Sequence, residues 1–204
     1  MNNNPSCEFY SVLEGRRSIR KLSGEVSQEQ IEKLVHAAGM APSAHNAQPW
    51  RFVCIRNKGK KESLLDRMAE AWRTDLVDDG FSEEEASEVV QEKQKKITQA
   101  PCLLLVCLTM EDMDSYSDPE RHSAEYMMAV QSTAAAIENF LLAAKAEGLG
   151  GCWLCAPLFS RELVKRTLNL PVQFEPQAFI IIGKPDENPE PPKRKSVDEI
   201  LRFV

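Results

Sequence analysis

Long apolar segments are missing from this 204-residue sequence. No apolar run approaches the roughly 20 residues that a helix needs to cross a bilayer. The start, Met-Asn-Asn-Asn-Pro-Ser, lacks the basic flank and apolar core of a signal peptide. Acidic residues outnumber basic ones: 31 Asp and Glu against 25 Lys and Arg give a net charge of −6. A nucleic-acid-binding surface would need a concentrated basic stripe. We therefore expect a cytoplasmic protein that binds neither a membrane nor a nucleic acid.

Two common functional motifs, one catalytic and one dinucleotide-binding, are also missing. The sequence contains no Gly-x-Ser-x-Gly, the turn that presents a serine nucleophile. It has no Gly-x-Gly-x-x-Gly after an early strand, and the Gly-Leu-Gly-Gly at 148–151 lacks that spacing. Serine-hydrolase chemistry and a Rossmann nicotinamide domain are therefore disfavoured. His36 and His122 lie in a helical pattern and a polar stretch, where we expect structural or solvent-facing side chains.

The six cysteines lie mostly in apolar segments, where thiols in a reducing compartment act as small hydrophobic groups. A disulfide framework is not expected. No metal site is predicted, because Cys102 and Cys107 lie five apart in one apolar run and should point to opposite faces of a strand. Cys152 and Cys155 have the spacing of a redox dithiol, which leaves that chemistry open.

Length and composition suit one domain over 1–204, with a loose tail over 1–7 and an extended tail over 186–204. Helices are predicted over 8–14, 27–38, 62–76, 82–97, 124–147 and 160–168. Strands are predicted over 52–55, 102–108 and 177–182, with a glycine-led strand from 150 onward. Polar turns or loops are predicted over 57–61 and 111–122. Helices and strands interleave, so the fold class is α+β with a central sheet.

The helix over 124–147 is apolar around a wide arc, which predicts burial in the centre of the domain or in a subunit interface. Serine begins two other helices with a capping box, Ser27 with Gln30 and Ser82 with Glu85. The segments 62–97 and 111–122 are the candidates for a lid over a ligand pocket.

Residues 41–51, Ala-Pro-Ser-Ala-His-Asn-Ala-Gln-Pro-Trp-Arg, form a polar loop between two apolar segments. Pro42 and Pro49 restrict the backbone and make this polar loop stiff. Four of its side chains offer hydrogen-bond donors and acceptors: Ser43, His45, Asn46 and Gln48. A cofactor site and an ordinary turn explain the polar loop equally well.

Residues 16–21, Arg-Arg-Ser-Ile-Arg-Lys, form an arginine segment with four cations and one hydroxyl. Taken alone, such a cluster is more often a solvated charged surface. The alternative is a phosphate site, because guanidinium groups bind phosphate oxygens in pairs and Ser18 adds a donor.

The order of these motifs resembles the nitroreductase family of FMN-dependent oxidoreductases. The motifs are Arg-Arg-Ser-Ile-Arg at 16–20, Ala-Pro-Ser-Ala-His-Asn-Ala-Gln-Pro-Trp at 41–50, Gly-Leu-Gly-Gly-Cys-Trp at 148–153 and a basic tail. Within the family, the segments 64–68, 72–76, 148–153, 170–172 and 175–176 resemble the FMN-binding domain attached to the glutamate ligase of deazaflavin-coenzyme maturation. Participation in that maturation stays open.

The resemblance implies an intertwined homodimer of mixed-sheet α+β subunits with an FMN in each of two interfacial sites. The arginine segment matches the positions that hold the phosphate and the pyrimidine edge, and the polar loop matches the one that reaches the partner's flavin. The stretch 153–156 matches the segment beside the reactive flavin nitrogen, and the tail cations match those that return to the phosphate. The candidate cofactor-binding residues are Arg16, Arg17, Ser18, Arg20, Pro42, Ser43, Ala44, His45, Asn46, Gln48, Trp153, Leu154, Cys155, Ala156, Lys193 and Arg194.

Two positions depart from the family pattern. Cys155 stands where several nitroreductases have a glutamate, so the backbone of Cys155 and Ala156 is the expected contact there. His45 replaces a smaller residue. The implied activity is ping-pong hydride transfer from a reduced nicotinamide or deazaflavin to a small nitro, quinone or unsaturated acceptor. The alternatives are a flavin- or deazaflavin-binding module with little turnover and dithiol exchange at Cys152 and Cys155.

Overall fold

The computed structural model describes residues 5–204, which form seven helices and five strands. The helices are α1 (Pro5–Gly15), α2 (Gln28–Gly39), α3 (Lys58–Asp78), α4 (Glu83–Thr98), α5 (Pro119–Ala146), α6 (Arg161–Leu168) and α7 (Val197–Ile200). The strands are β1 (Leu22–Ser23), β2 (Trp50–Cys54), β3 (Cys102–Leu108), β4 (Gly150–Leu154) and β5 (Glu175–Pro185). The α+β class is confirmed.

Strand β5 is the centre of the sheet. One of its edges pairs with β3, which pairs in turn with β2. Its other edge pairs with β4 along residues 179–183 and with β1 at residues 184–185. These four pairings are antiparallel, whereas Ser18 makes an isolated parallel bridge to Gly151. The sheet is therefore mixed. Strand β2 confirms the strand predicted near 52–55. Within the described residues it is an edge strand with four of its five residues only half-buried, so the predicted burial was wrong.

Helices cover both faces of the sheet. Alternate residues of β3 divide between the two core clusters. Leu104 and Val106 pack with α2 and α5, while Leu103 and Leu105 pack with α3 and α6. All seven residues of β3 are buried, as expected for a continuous apolar run. Cys102 and Cys107 belong to different clusters, which confirms the prediction that they point to opposite faces.

Helix α5 is the predicted central helix. Its Ile137 and Phe140 are 1% and 0% exposed and belong to the same core cluster as β3 and β5. In residues 5–204 it is also the one helix with the length and hydropathy to cross a membrane, a test that buried core helices also pass. It begins at Pro119, inside the loop predicted over 111–122, because Asp118 caps it: the Asp118 Oδ1 accepts from the Arg121 N–H at 2.9 Å.

Two further boundaries differ from the sequence prediction, and the first has the same physical reason, a side-chain cap. The predicted turn over 57–61 is instead the start of α3, where Asn57 Oδ1 accepts from the Lys60 N–H at 2.9 Å. The predicted loose tail over 1–7 is wrong from residue 5 onward, because α1 begins there; residues 1–4 lie outside the described part of the chain. Both predicted capping boxes are confirmed.

Candidate functional site

The arginine segment lies along strand β4. The Ile19 N–H donates to the Gly151 carbonyl at 2.9 Å, beside the parallel bridge from Ser18 to Gly151. Glycine at 150 permits this approach, because a Cβ there would lie 3.1 Å from Ile19 Cβ. Glycine at 151 instead permits close packing on β5, because a Cβ there would lie 3.0 Å from the Ile181 carbonyl oxygen. Ser18 and Arg20 are thereby held beside the residues that follow Gly151 in β4.

A polar cavity of about 530 Å³ opens at one end of the arginine segment, lined by Arg16, Arg17, Gly150, Gly151 and Glu187 among others. The Nε atoms of Arg16 and Arg17 are buried without a hydrogen-bond partner. Arg16 Nε lies 3.2 Å from Glu138 Oε1, an ion pair without hydrogen-bond alignment. A buried donor left unpaired costs about 1–3 kcal/mol. An anion placed in the polar cavity would reduce that cost, so these residues fit a phosphate group.

An apolar cavity of about 590 Å³ opens at the other end of the arginine segment. Arg20 contributes to one wall, together with Leu154, Cys155 and Ala156. The opposite wall comes from α3 and α4, with Met68, Trp72, Val90 and Ile97. The lid predicted over 62–97 therefore does line a cavity. Burial of a flat apolar ring here would remove hydrocarbon surface from water on both of its faces.

The end of β4 turns directly into the wall of the apolar cavity. Cys155 follows the strand and is exposed, and a 3₁₀ turn runs over Ala156–Phe159. Trp153 Nε1 is buried without a hydrogen-bond partner. Cys152 is 1% exposed, and burial raises the pKa of its thiol. A buried, protonated Cys152 is a poor partner for thiol exchange with an exposed Cys155, which weakens the dithiol alternative.

The polar loop lies away from both cavities within one chain. It forms a 3₁₀ turn over Ala44–Asn46. Two serines hold it: Ser132 Oγ accepts from the Ala44 N–H at 3.2 Å, and Ser43 Oγ accepts from the Gln48 N–H at 3.1 Å. Left-handed backbone angles occur at His45, Asn46 and Gln48, with φ of 55°, 54° and 46°. Residues 45–48, 50 and 51 of this loop line a separate open cavity of about 470 Å³ together with Asp112.

His45 is turned toward two carboxylates that sequence reasoning missed. Its Nε2 lies 3.4 Å from Glu125 Oε1 and 3.9 Å from Asp114 Oδ2. Glu125 is 3% exposed, and its Oε2 has no hydrogen-bond partner. Glu125 falls within the apolar pattern of α5, so nothing in the sequence marks it as a partner of residue 45. The prediction that the protein has no metal site stays a prediction.

Lys193 and Arg194 are exposed on the C-terminal tail and line none of the cavities above. The start of that tail does reach the site, since Glu187 Oε1 accepts from the backbone N–H groups of Arg20 and Lys21 at 2.6 and 3.1 Å. These bonds lower the pKa of the Glu187 carboxyl. In one chain the structure brings together the arginine segment, β4 and the α3–α4 wall, but neither the polar loop nor the tail cations.

Comparison with known proteins decides the family. The sequence profile of the nitroreductase family matches residues 13–184. The chain belongs to the nitroreductase family. It is accordingly an oxidoreductase, as predicted. An Archaeoglobus fulgidus protein with the provisional name NADH dehydrogenase/NAD(P)H nitroreductase is 30% identical over 185 residues, which cover 88% of this chain and 87% of the relative.

Solved structures agree with this nitroreductase assignment. A BluB-like flavoprotein from Clostridium difficile 630 superposes with a TM-score of 0.81 at 29% identity, covering 96% of this chain and 98% of that chain. The NADPH:FMN oxidoreductase from Vibrio harveyi, complexed with NAD+, gives a TM-score of 0.72 at 21% identity, covering 96% and 76%. At that lower identity the likeness shows the fold alone.

Proposed function

We propose that this nitroreductase binds FMN along the arginine segment and catalyses ping-pong hydride transfer from a reduced nicotinamide or deazaflavin to a nitro, quinone or unsaturated acceptor. One observation carries the proposal: the arginine segment joins a polar cavity, beside which two arginine Nε atoms are buried without a hydrogen-bond partner, to an apolar cavity with Arg20 at its edge. FMN has a phosphate at one end and a flat ring at the other. Bound FMN would supply the redox chemistry by accepting and then donating hydride.

The polar end supports phosphate binding. A phosphomonoester carries close to two negative charges, and Arg16 and Arg17 place cationic donors in the polar cavity. Ser18, bridged to Gly151, is exposed and lines neither cavity, and its hydroxyl is assigned to the phosphate from the family resemblance alone. Lys193 and Arg194 are assigned to the same phosphate through the C-terminal tail of a partner subunit, since within one chain they line none of the cavities described above.

The apolar end supports ring binding and exclusion of water. Arg20 would face the pyrimidine edge, where a guanidinium stabilises negative charge. Leu154, Cys155 and Ala156 would lie along the ring, with the backbone of the last two beside its reactive nitrogen. The α3–α4 wall leaves an apolar slot in which a flat donor and a flat acceptor bind in turn, and Lys93 and Lys96 also border that cavity.

A homodimer completes the proposed site. The C-terminal arm exposes a row of large apolar side chains to solvent, which in an isolated chain costs hydrophobic free energy: Val197, Ile200, Leu201 and Phe203. The outer edge of β2 also has no partner among residues 5–204. Both features favour a second subunit, whose polar loop would bring Ser43 and Asn46 to this subunit's flavin.

Anaerobic titration of the purified protein tests the proposal. We expect a yellow protein whose visible flavin absorbance disappears with a reduced nicotinamide or deazaflavin and returns when a quinone is added. Running NADH, NADPH and a reduced deazaflavin side by side identifies the donor, and the deazaflavin result tests the finer resemblance to the ligase-attached domain. A flavin that resists every donor supports the binding-module alternative. A folded protein that neither carries nor takes up FMN contradicts the proposal.

A further inference from the structure

Two thiols outside the proposed flavin site face each other across strands β2 and β3. Cys54 ends β2 and Cys102 begins β3. Because Cys54 is paired in register with Leu104, Cys102 is its diagonal neighbour on the same face of the sheet. The two Sγ atoms are 3.8 Å apart. At 3.8 Å the two sulfur atoms are in van der Waals contact, and a disulfide would shorten their separation to roughly 2.05 Å.

The surroundings make the two thiols unequal. Cys54 is half-buried and lines an open groove of about 380 Å³ between β2 and α2, whereas Cys102 is 7% exposed. The hydrogen bond from the Cys102 thiol, followed by the Arg56 guanidinium, lowers the pKa of Cys54 to about 6. The same pairing, together with burial, raises the pKa of Cys102. The more accessible of the two thiols is therefore the one that loses its proton more readily, and the thiolate is the reactive form.

Other charged groups near the pair come from neighbouring helices. Glu32 and His36 of α2 line the groove on the Cys54 side. On the Cys102 side, Lys61 of α3 donates through Nζ to the carbonyls of Thr98 and Ala100 at 2.8 and 2.6 Å. The cations Arg56 and Lys61 thus flank the two thiols from different segments.

We propose that Cys54 and Cys102 form a peroxide-oxidisable dithiol. The Cys54 thiolate attacks hydrogen peroxide, a sulfur–oxygen bond forms, the oxygen–oxygen bond breaks, and the departing hydroxide takes a proton to become water. Cys102 then attacks the Cys54 sulfur, its proton goes to the leaving hydroxyl, and a second water departs. Two thiols are oxidised to one disulfide and one peroxide is reduced to two waters.

The disulfide would close a loop that contains α3 and α4, the helices that form one wall of the apolar cavity. Cross-linking the two ends of this loop restricts the unfolded chain, so the oxidised protein should unfold at a higher temperature than the reduced protein. The inference does not depend on bound FMN, since none of its residues lines the polar or the apolar cavity.

Peptide mapping tests the proposal. The full-length, reduced protein is exposed to hydrogen peroxide at pH 7, blocked with N-ethylmaleimide and digested without reductant. We expect a cross-linked peptide pair containing Cys54 and Cys102, a mass loss of two hydrogen atoms, and reversal by dithiothreitol. Cys107→Ser is the matched control, because Cys107 lies in β3 on the opposite face and burial raises the pKa of its thiol to about 12; its cross-link should form as in the wild type.

Single variants separate the two roles. In Cys102→Ser the oxidation should stop at a Cys54 sulfenic acid that dimedone traps, and in Cys54→Ser the remaining Cys102 should stay reduced. Circular dichroism confirms that each variant is folded. A folded wild-type protein with no cross-link between these two residues, or with a cross-link between Cys152 and Cys155 in its place, overturns the proposal. Loss of flavin activity would leave these thiol readouts unchanged, so the two proposals fail separately.

Discussion

At the scale of single residues, the surroundings of an arginine decide how much it gains from binding an anion. The chain has many exposed cations whose ion pairs are worth little in water, such as Lys33 with Glu147. Arg16 and Arg17 differ because their Nε atoms are buried beside a cavity and lack an aligned partner. Folding has already removed these Nε donors from water, so a bound anion adds a hydrogen bond without that desolvation cost. Such donors therefore gain the most from an anion.

Replacing Arg16 or Arg20 by alanine should weaken FMN binding while the protein stays folded. A hydrogen bond to a charged group contributes about 1.5–3 kcal/mol, so each variant should raise the FMN dissociation constant roughly 10- to 100-fold. Fluorescence titration of the apoprotein with FMN measures this, and Arg166→Ala, an exposed cation on α6, is the matched control. Wild-type affinity in both variants would contradict the assigned roles.

At the scale of secondary-structure elements, local signals were predictable and long-range contacts were not. The capping boxes at Ser27 and Ser82 predict helix starts, because both partners of a capping box lie within four consecutive residues. The caps of α3 and α5 are single side chains, Asn57 and Asp118. These residue types also suit turns, so the sequence predicts loops at both places. Strand β1 and the bridge from Ser18 to Gly151 depend on partners far along the chain, and no local pattern encodes them.

In the candidate site too, segments marked by local motifs were predictable, and contacts between distant parts of the chain were not. Motif order identified the arginine segment and the end of β4, which the fold does bring together. Glu187 was missed, because an acidic residue in a polar tail looks solvated until the fold places it against the backbone of Arg20 and Lys21. The pairing of Cys54 with Cys102 was missed because it needs the register of β2 on β3.

Strand β4 offers a test of how the arginine segment is positioned. In Gly151→Ala the new Cβ would lie 3.0 Å from the Ile181 carbonyl oxygen of β5 and 3.3 Å from Leu141 Cδ2 of α5, so β4 must shift, and the arginine segment bridged to Gly151 shifts with it. Overpacking of this kind costs about 1–3 kcal/mol. We expect a lower unfolding temperature and weaker FMN binding. Gly39→Ala in α2, where a Cβ meets nothing within 4 Å, should instead stabilise the protein by about 0.5–1 kcal/mol without affecting FMN. Equal FMN affinities would show that Gly151 does not position the site.

At the scale of the whole molecule, one chain contains only part of the proposed site. The polar loop lines its own cavity, apart from those of the arginine segment. A sequence motif cannot say whether two segments meet within a chain or between chains. The exposed apolar arm and the unpaired edge of β2 favour the second arrangement.

Mixed dimers distinguish the two arrangements. Arg16→Ala removes a phosphate donor, and Asn46→Gly removes a side chain of the polar loop while glycine still permits the left-handed φ of 54°. Each homodimer should bind FMN weakly. The two variants, co-expressed with different affinity tags and purified as the mixed species, should contain one site with both defects and one intact site. We therefore expect tight FMN binding at half of the sites by titration. If the polar loop served the flavin of its own chain, each site of the mixed dimer would carry one defect and no tight binding would return.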